Sequence, residues 1–236
     1  MSDVREGVAT AWLDRTDRGN ALSAEATDAL MASVSATLAD PAVHTLVLRG
    51  RGRHFCTGFD LSALETETDA SLRARFVARE RLLQAVWHAP VRTVAFATGR
   101  AWGAGADLFA SCDIRACAPD ATFRFPGSAF GIVLGTRRLV ELIDWDRARA
   151  LVTEGAMHDA AGAKAATLVT DIVDGDAEAF LAGLGAPPVA DRRTFAMIRA
   201  ATRPDRRSED MGTLDASASV PGLVQRIDGY RKSLRK

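Results

Sequence analysis

Two stretches decide the reading: residues 45–64, TLVLRGRGRHFCTGFDLSAL, and residues 93–114, TVAFATGRAWGAGADLFASCDI. Both have the same layout. A short continuous apolar run, 45–48 in one and 93–97 in the other, suits a strand covered on both faces. A glycine-containing turn follows, and then the start of a helix. Backbone N–H groups at a helix start lack an intrahelical partner, and glycine allows close approach and unusual dihedral angles. Taken singly, such a turn is usually only a connection. Two of them converging on one oxygen would stabilise negative charge there.

Outward from these turns, strands alternate with helices. Residues 8–13 alternate weakly and include Trp12, as in a strand. Ser23 is placed to cap a helix running to Asp40, with Leu30, Val34 and Leu38 as its buried stripe. A second helix is expected over 70–86, with Leu72, Phe76, Leu83 and Val86 on one side, ended by Pro90. Short strands are expected at 114–118, 122–125 and 168–173. Helices are expected near 136–143, 148–153 and 159–167, and beyond Asp191 with interruptions at Pro204 and Pro221. The alternation predicts an α/β fold with parallel pairing and a helical C-terminal part.

The chain has 236 residues, enough for one sizeable core. Its formal net charge is zero, so no global field favours nucleic acid or an anionic membrane. No apolar run approaches the roughly 20 residues needed to cross a bilayer. The first residues have neither a cationic nor an apolar signal region. Cys56, Cys112 and Cys117 lack Cys-x-x-Cys spacing, which argues against a disulfide scaffold or a zinc site and makes a reducing cytoplasm the default.

Together the two turns resemble the enoyl-CoA hydratase/isomerase (crotonase) family. Phe55-Cys56-Thr57-Gly58-Phe59-Asp60-Leu61 is similar to that family's F-C-A-G-A-D-L. Residues 90–98, followed by Gly99, Ala101, Gly103, Ala104 and Gly105, resemble its P-V-I-A-A-V-x-G-x-A-x-G-G-G pattern. CDIRACAPDATF (112–123), RGNAL (18–22) and LVTEGAMHDAAGAKAATL (151–168) also resemble family sequence. The similarity covers residues 8–173 well and the tail weakly.

The resemblance implies a crotonase-like spiral of repeated ββα units over residues 1–183, with a helical C-terminal oligomerisation region over 184–236. It implies an acyl-CoA substrate, with CoA as part of the substrate and no separate cofactor or metal. It also implies a homotrimer or a dimer of trimers. The amides that stabilise a thioester enolate fall on Phe59 and Ala104, and the acid/base carboxylate on Asp107. Arg18, Ala21, Gly58, Asp60, Trp102, Gly103 and Gly127 fall on substrate-binding stretches, with Asp60 and Asp113 also bracing the turns.

One departure matters for chemistry. Hydration of a conjugated thioester uses two carboxylates, one to activate water and one to protonate carbon. The second family carboxylate falls on Gly127, which cannot transfer a proton. Isomerisation, decarboxylation or carbon–carbon cleavage through an enolate needs only one. Glu154 and Arg124 are alternative groups that could enter the pocket. A non-catalytic acyl-CoA binder is the rival reading. A dinucleotide site is disfavoured because Gly103-Ala104-Gly105 lacks the third glycine, the position being Leu108. A serine hydrolase is disfavoured because no G-x-S-x-G occurs.

Overall fold

Runs of small and branched apolar residues make strands here because both sheet faces are covered. The computed structural model describes residues 3–234. The chain begins with β1 (Asp3–Arg5), β2 (Val8–Leu13), α1 (Ala24–Ala39), β3 (Thr45–Gly50), α2 (Asp69–Trp87), β4 (Arg92–Ala97), β5 (Arg100–Trp102) and α3 (Ala104–Ala110). It continues through β6 (Ile114–Cys117), β7 (Thr122–Arg124), α4 (Thr136–Ile143), α5 (Trp145–Glu154), β8 (His158–Asp159), α6 (Ala160–Ala165) and β9 (Asp171–Ile172). Helices α7 (Ala177–Gly183), α8 (Arg192–Thr202), α9 (Arg207–Ala218) and α10 (Leu223–Ser233) complete it.

A six-stranded sheet has the order β1-β2-β3-β4-β6-β9, and a three-stranded sheet the order β5-β7-β8. From β2 to β9 the neighbours in the larger sheet are parallel, while β1 joins antiparallel. The chain steps from the larger sheet to the smaller between β4 and β5, and again between β6 and β7. This strand–strand–helix repetition is the crotonase-like spiral. Residues 45–48 of β3 are all buried, which fits a continuous apolar run in a two-sided sheet.

The helices follow their sequence signals. Ser23 caps α1, its hydroxyl accepting from the Ala26 N–H at 3.1 Å. Thr68 and Ser71 form a reciprocal cap at the start of α2, one residue before the expected helix. Leu72, Phe76, Leu83 and Val86 are buried along α2, and so are Arg79 and Glu80.

Some elements differ from expectation. The strand expected over 168–173 is confined to β9, because the Leu168 carbonyl accepts from Arg115 Nε at 2.7 Å instead of joining a ladder. The GRAW segment, read as part of a turn, contributes β5. Helix α7 carried no expectation; it ends at Gly183, so α8–α10 fall beyond the expected boundary.

The C-terminal helices seat on the core of their own chain. Leu214 of α9 and Leu223 and Ile227 of α10 cluster with Leu72, Phe76 and Ile132. Asp69, at the start of α2, accepts from the Gly222 and Val224 N–H groups at 2.8 and 2.9 Å. Leu214 is fully buried. Leu214→Ala is expected to lower unfolding free energy by about 2–5 kcal/mol, measured by denaturant titration. A loss well under about 1 kcal/mol would show that this site is not packed as described.

Candidate active site

The two glycine turns lie side by side. The Cys56 N–H donates to the Arg100 carbonyl at 3.0 Å, and the Trp102 N–H to the Cys56 carbonyl at 2.9 Å, which makes a parallel bridge between Cys56 and Ala101. Gly58 has φ +99, and a Cβ there would lie 2.7 Å from the Trp102 carbonyl oxygen. Gly103 has φ +53 and opens α3. Only glycine suits both the conformation and the closeness at position 58.

The residues after these glycines are Phe59 and Ala104. Phe59 forms a parallel bridge with Leu22: the Leu22 N–H donates to the Gly58 carbonyl at 2.8 Å and the Asp60 N–H to the Leu22 carbonyl at 3.1 Å. The Phe59 N–H takes no part in that ladder. Ala104 is the first residue of α3, where the N–H has no intrahelical acceptor. Among the described residues neither amide donates to another protein group.

Both residues line a cavity of about 130 Å³. An apolar cavity of about this size holds one benzene-sized group. Gly58, Trp102, Gly103, Asp107 and Gly127 line it too, and Phe76, Phe130, Ile132 and Ile227 supply apolar wall. The Trp102 indole donates to the Thr122 hydroxyl at 3.1 Å, so its polar atom is satisfied.

Asp107 stands on the first turn of α3 and is 7% exposed. Its Oδ1 is buried without a hydrogen-bond partner. A Cβ at Gly135 would come within 2.5 Å of that oxygen, so the glycine makes room for the carboxyl. Close by is a buried ion pair: Arg138 donates to the two Glu80 oxygens at 3.0 and 2.5 Å. Burial pushes the Asp107 pKa well above the usual 3.8; Arg138 opposes the rise and Glu80 adds to it. An uncommitted carboxyl that holds its proton easily is suited to carrying one.

The remaining expected residues divide clearly. Gly127 lines the cavity, and a Cβ there would sit 3.0 Å from the Ile132 carbonyl oxygen. Arg18, Ala21 and Asp60 lie outside the lining. Arg18 is exposed beside Asp17. The Ala21 carbonyl accepts from Arg15 at 2.6 Å. Asp60 pairs with Arg15 at 2.9 Å and accepts from the Ser62 N–H at 2.9 Å. Burial would raise the Asp60 pKa, but the Ser62 bonds and Arg15 outweigh it and hold the carboxyl below its usual value.

Glu154 and Arg124 do not line the cavity either, and Arg124 is committed to the Gly155 carbonyl at 2.8 Å. Burial raises the Cys56 thiol to about 12, which suits a packing residue and not a nucleophile. Among the described residues no helix is long and apolar enough to cross a membrane, and no cluster of three or more metal-ligating side chains occurs.

Sequence reasoning missed the contributions of α10, whose Ile227 and Tyr230 reach the cavity. It also missed Arg79. Its signal was available: Arg79 is three residues after Phe76 and four before Leu83, squarely on the apolar stripe of α2.

Comparison with known proteins bears on the family and the fold. The family model for enoyl-CoA hydratase/isomerase matches residues 3–179. The probable enoyl-CoA hydratase echA6 of Mycobacterium leprae is 39% identical over 153 residues, which are 62% of this chain and 60% of that protein. The match thus spans less than two thirds of that relative's length. The probable enoyl-CoA hydratase echA14 of Mycobacterium tuberculosis is 31% identical over 218 residues, covering 91% of this chain and 84% of the relative. A solved structure from Bordetella parapertussis, provisionally named an enoyl-CoA hydratase/isomerase, superposes with a TM-score of 0.93 at 38% identity, covering 98% of this chain and 97% of that one. On the match to more than half of its length, this chain belongs to the enoyl-CoA hydratase/isomerase family of enzymes.

Proposed function

We propose that this protein binds the acyl group of a CoA thioester in the cavity beside the glycine turns and moves a proton at the carbon next to the thioester. The Phe59 and Ala104 amides donate to the thioester oxygen. Asp107 takes a proton from the α-carbon and returns it. Removal of that proton places negative charge on the oxygen, which is where preorganised donors act most strongly. The observation that supports this reading is that Phe59 and Ala104, whose amides have no protein acceptor among the described residues, line the same small cavity as Asp107, whose carboxyl has no hydrogen-bond partner.

Double-bond isomerisation of an enoyl-CoA suits the site better than hydration. A single carboxyl can carry a proton from one carbon to another. Activating water in addition needs a second base, and the expected position holds Gly127. Coenzyme A enters as part of the substrate, and the proposed chemistry uses no metal. The cavity volume matches a short acyl chain or one ring. By family resemblance the working form is a homotrimer or dimer of trimers in the cytoplasm. The same Gly127 supports a second reading, a protein that binds acyl-CoA without turnover.

Incubation with acyl-CoA esters in deuterium oxide, read by mass spectrometry, separates the two. Exchange at the α-carbon is expected, and Asp107→Asn is expected to slow it by about 10²–10⁴-fold. Equal exchange in wild type and variant would remove Asp107 from the mechanism. Binding without exchange or product for any thioester would support the binder.

Asp107 also makes stability depend on pH. An acid whose folded pKa is raised holds its proton more tightly when folded. Its contribution is complete below the unfolded value, near 3.8, and is lost as pH rises towards the folded value. Asp107→Asn is therefore expected to melt higher than wild type at neutral pH and to lose that advantage below pH 3.8. A difference in melting temperature that does not vary with pH would contradict the burial argument.

A further inference from the structure

Arg79 is 1% exposed. Burying a guanidinium costs free energy unless partners compensate. The partners here are carbonyls: Nη2 donates to Leu22 and Nη1 to Arg75, the latter at 2.7 Å. Its Nε has no partner. The guanidinium carbon lies 4.2 Å from the centre of the Phe59 ring, and that of Arg75 lies 4.1 Å from it.

The neighbouring arginines have carboxylate partners. Arg15 pairs with Asp60 at 2.9 Å, and Arg75 pairs with Glu67. Arg79 makes no ion pair among the described residues; its hydrogen bonds go to carbonyls alone. Burial pulls its pKa down to about 9, and it stays charged at neutral pH.

The two α2 arginines also hold backbone next to Phe59, one at its bridge partner Leu22 and one at the following residue Asp60. The Leu22 oxygen that accepts from the Asp60 N–H accepts from Arg79 as well. The Asp60 carbonyl accepts from Arg75 Nη2 at 2.9 Å. Leu22 in turn fixes the peptide that carries the Phe59 N–H: its own N–H donates to the Gly58 carbonyl at 2.8 Å, which turns the Phe59 N–H away from Leu22.

We propose that Arg79 is a positioning residue for the thioester-oxygen site: it anchors Leu22, whose N–H holds the Gly58–Phe59 peptide, and it keeps a guanidinium with no ion-pair partner against the Phe59 ring. This rests on the reading of Phe59 and Ala104 as donors to the thioester oxygen. A fixed charge in a water-poor setting acts on a developing anion without reorganisation. Its effect belongs to the step that makes the enolate more than to ground-state binding.

The test compares wild type, Arg79→Lys and Arg79→Met, each saturated with butyryl-CoA carrying carbon-13 in the thioester carbonyl. Dissociation constants are expected to stay within about threefold of wild type. The α-exchange rate is expected to fall by about 10–100-fold in Arg79→Met. It should fall less in Arg79→Lys, which keeps the charge and loses the planar fork. The infrared carbonyl stretch of the bound ester, lowered in wild type relative to free ester, should return towards the free value in the order Lys, Met.

A role confined to folding would not grade that frequency. Wild-type exchange and frequency in folded Arg79→Met overturn the proposal while leaving the donors in place. A wild-type ester with no carbonyl shift on binding sinks the donor reading, and this inference with it. If Arg79→Met does not fold, wild-type exchange and frequency in Arg79→Lys overturn the proposal.

Discussion

The two glycine turns can touch only because residue 58 has no side chain; the first of them runs on as a loop to α2 at Asp69, where the sequence pattern suggests an immediate helix start. At φ +99 and within 2.7 Å of the Trp102 oxygen, a Cβ at position 58 would push the turns apart. The Cys56–Ala101 bridge sets the register of that contact, and Gly105 extends it, since a Cβ there would strike the Cys56 carbonyl at 2.4 Å. The spiral holds the contact from both sides: β3 and β4 are parallel neighbours that feed the two turns. Fold and site are therefore one piece of geometry. The sheet brings the strand ends together, and the glycines let the following amides share a cavity.

Two buried charges of α2 lie near that cavity. Buried ion pairs seldom repay their desolvation, yet α2 buries both Arg79 and Glu80. Glu80 with Arg138 lies on the Asp107 side. Arg79 lies on the Phe59 side. One helix thus places the carboxylate of an ion pair near the proposed proton carrier and a cation without an ion-pair partner beside a proposed amide donor. The C-terminal helices finish the apolar wall from their own chain, with Ile227 fixed in the same cluster as Phe76.

Much of this was legible in the sequence where local signals and burial agree. Residues 45–48 and 93–97 read as two-sided strands because nothing in them is polar enough to face water, and both are central strands. Ser23 and the apolar stripe of α1 gave that helix its limits. The site segments were legible because glycine positions carry backbone geometry, which spacing can express. What escaped was long-range. β5 pairs with β7 across twenty residues, and no alternation marks three residues as a strand. Tyr230 and Ile227 reach the cavity only through the packing of α10 on α2, which a loose C-terminal pattern does not encode. Arg79 was passed over because a charge on a helix is ordinarily solvated; its place on the stripe was the clue. Arg18, Ala21 and Asp60 belong to stretches next to the cavity but turn towards Arg15 or solvent.

The central claim is that the amides of Phe59 and Ala104 share one acyl oxygen. Amide NMR on protein labelled with nitrogen-15 at phenylalanine and alanine addresses it directly. Saturation with butyryl-CoA should move both resonances strongly downfield, as amides do on gaining a good acceptor, while CoA without an acyl group should move neither to that extent. Shifts confined to other residues, or equal shifts with and without the acyl group, would contradict the account.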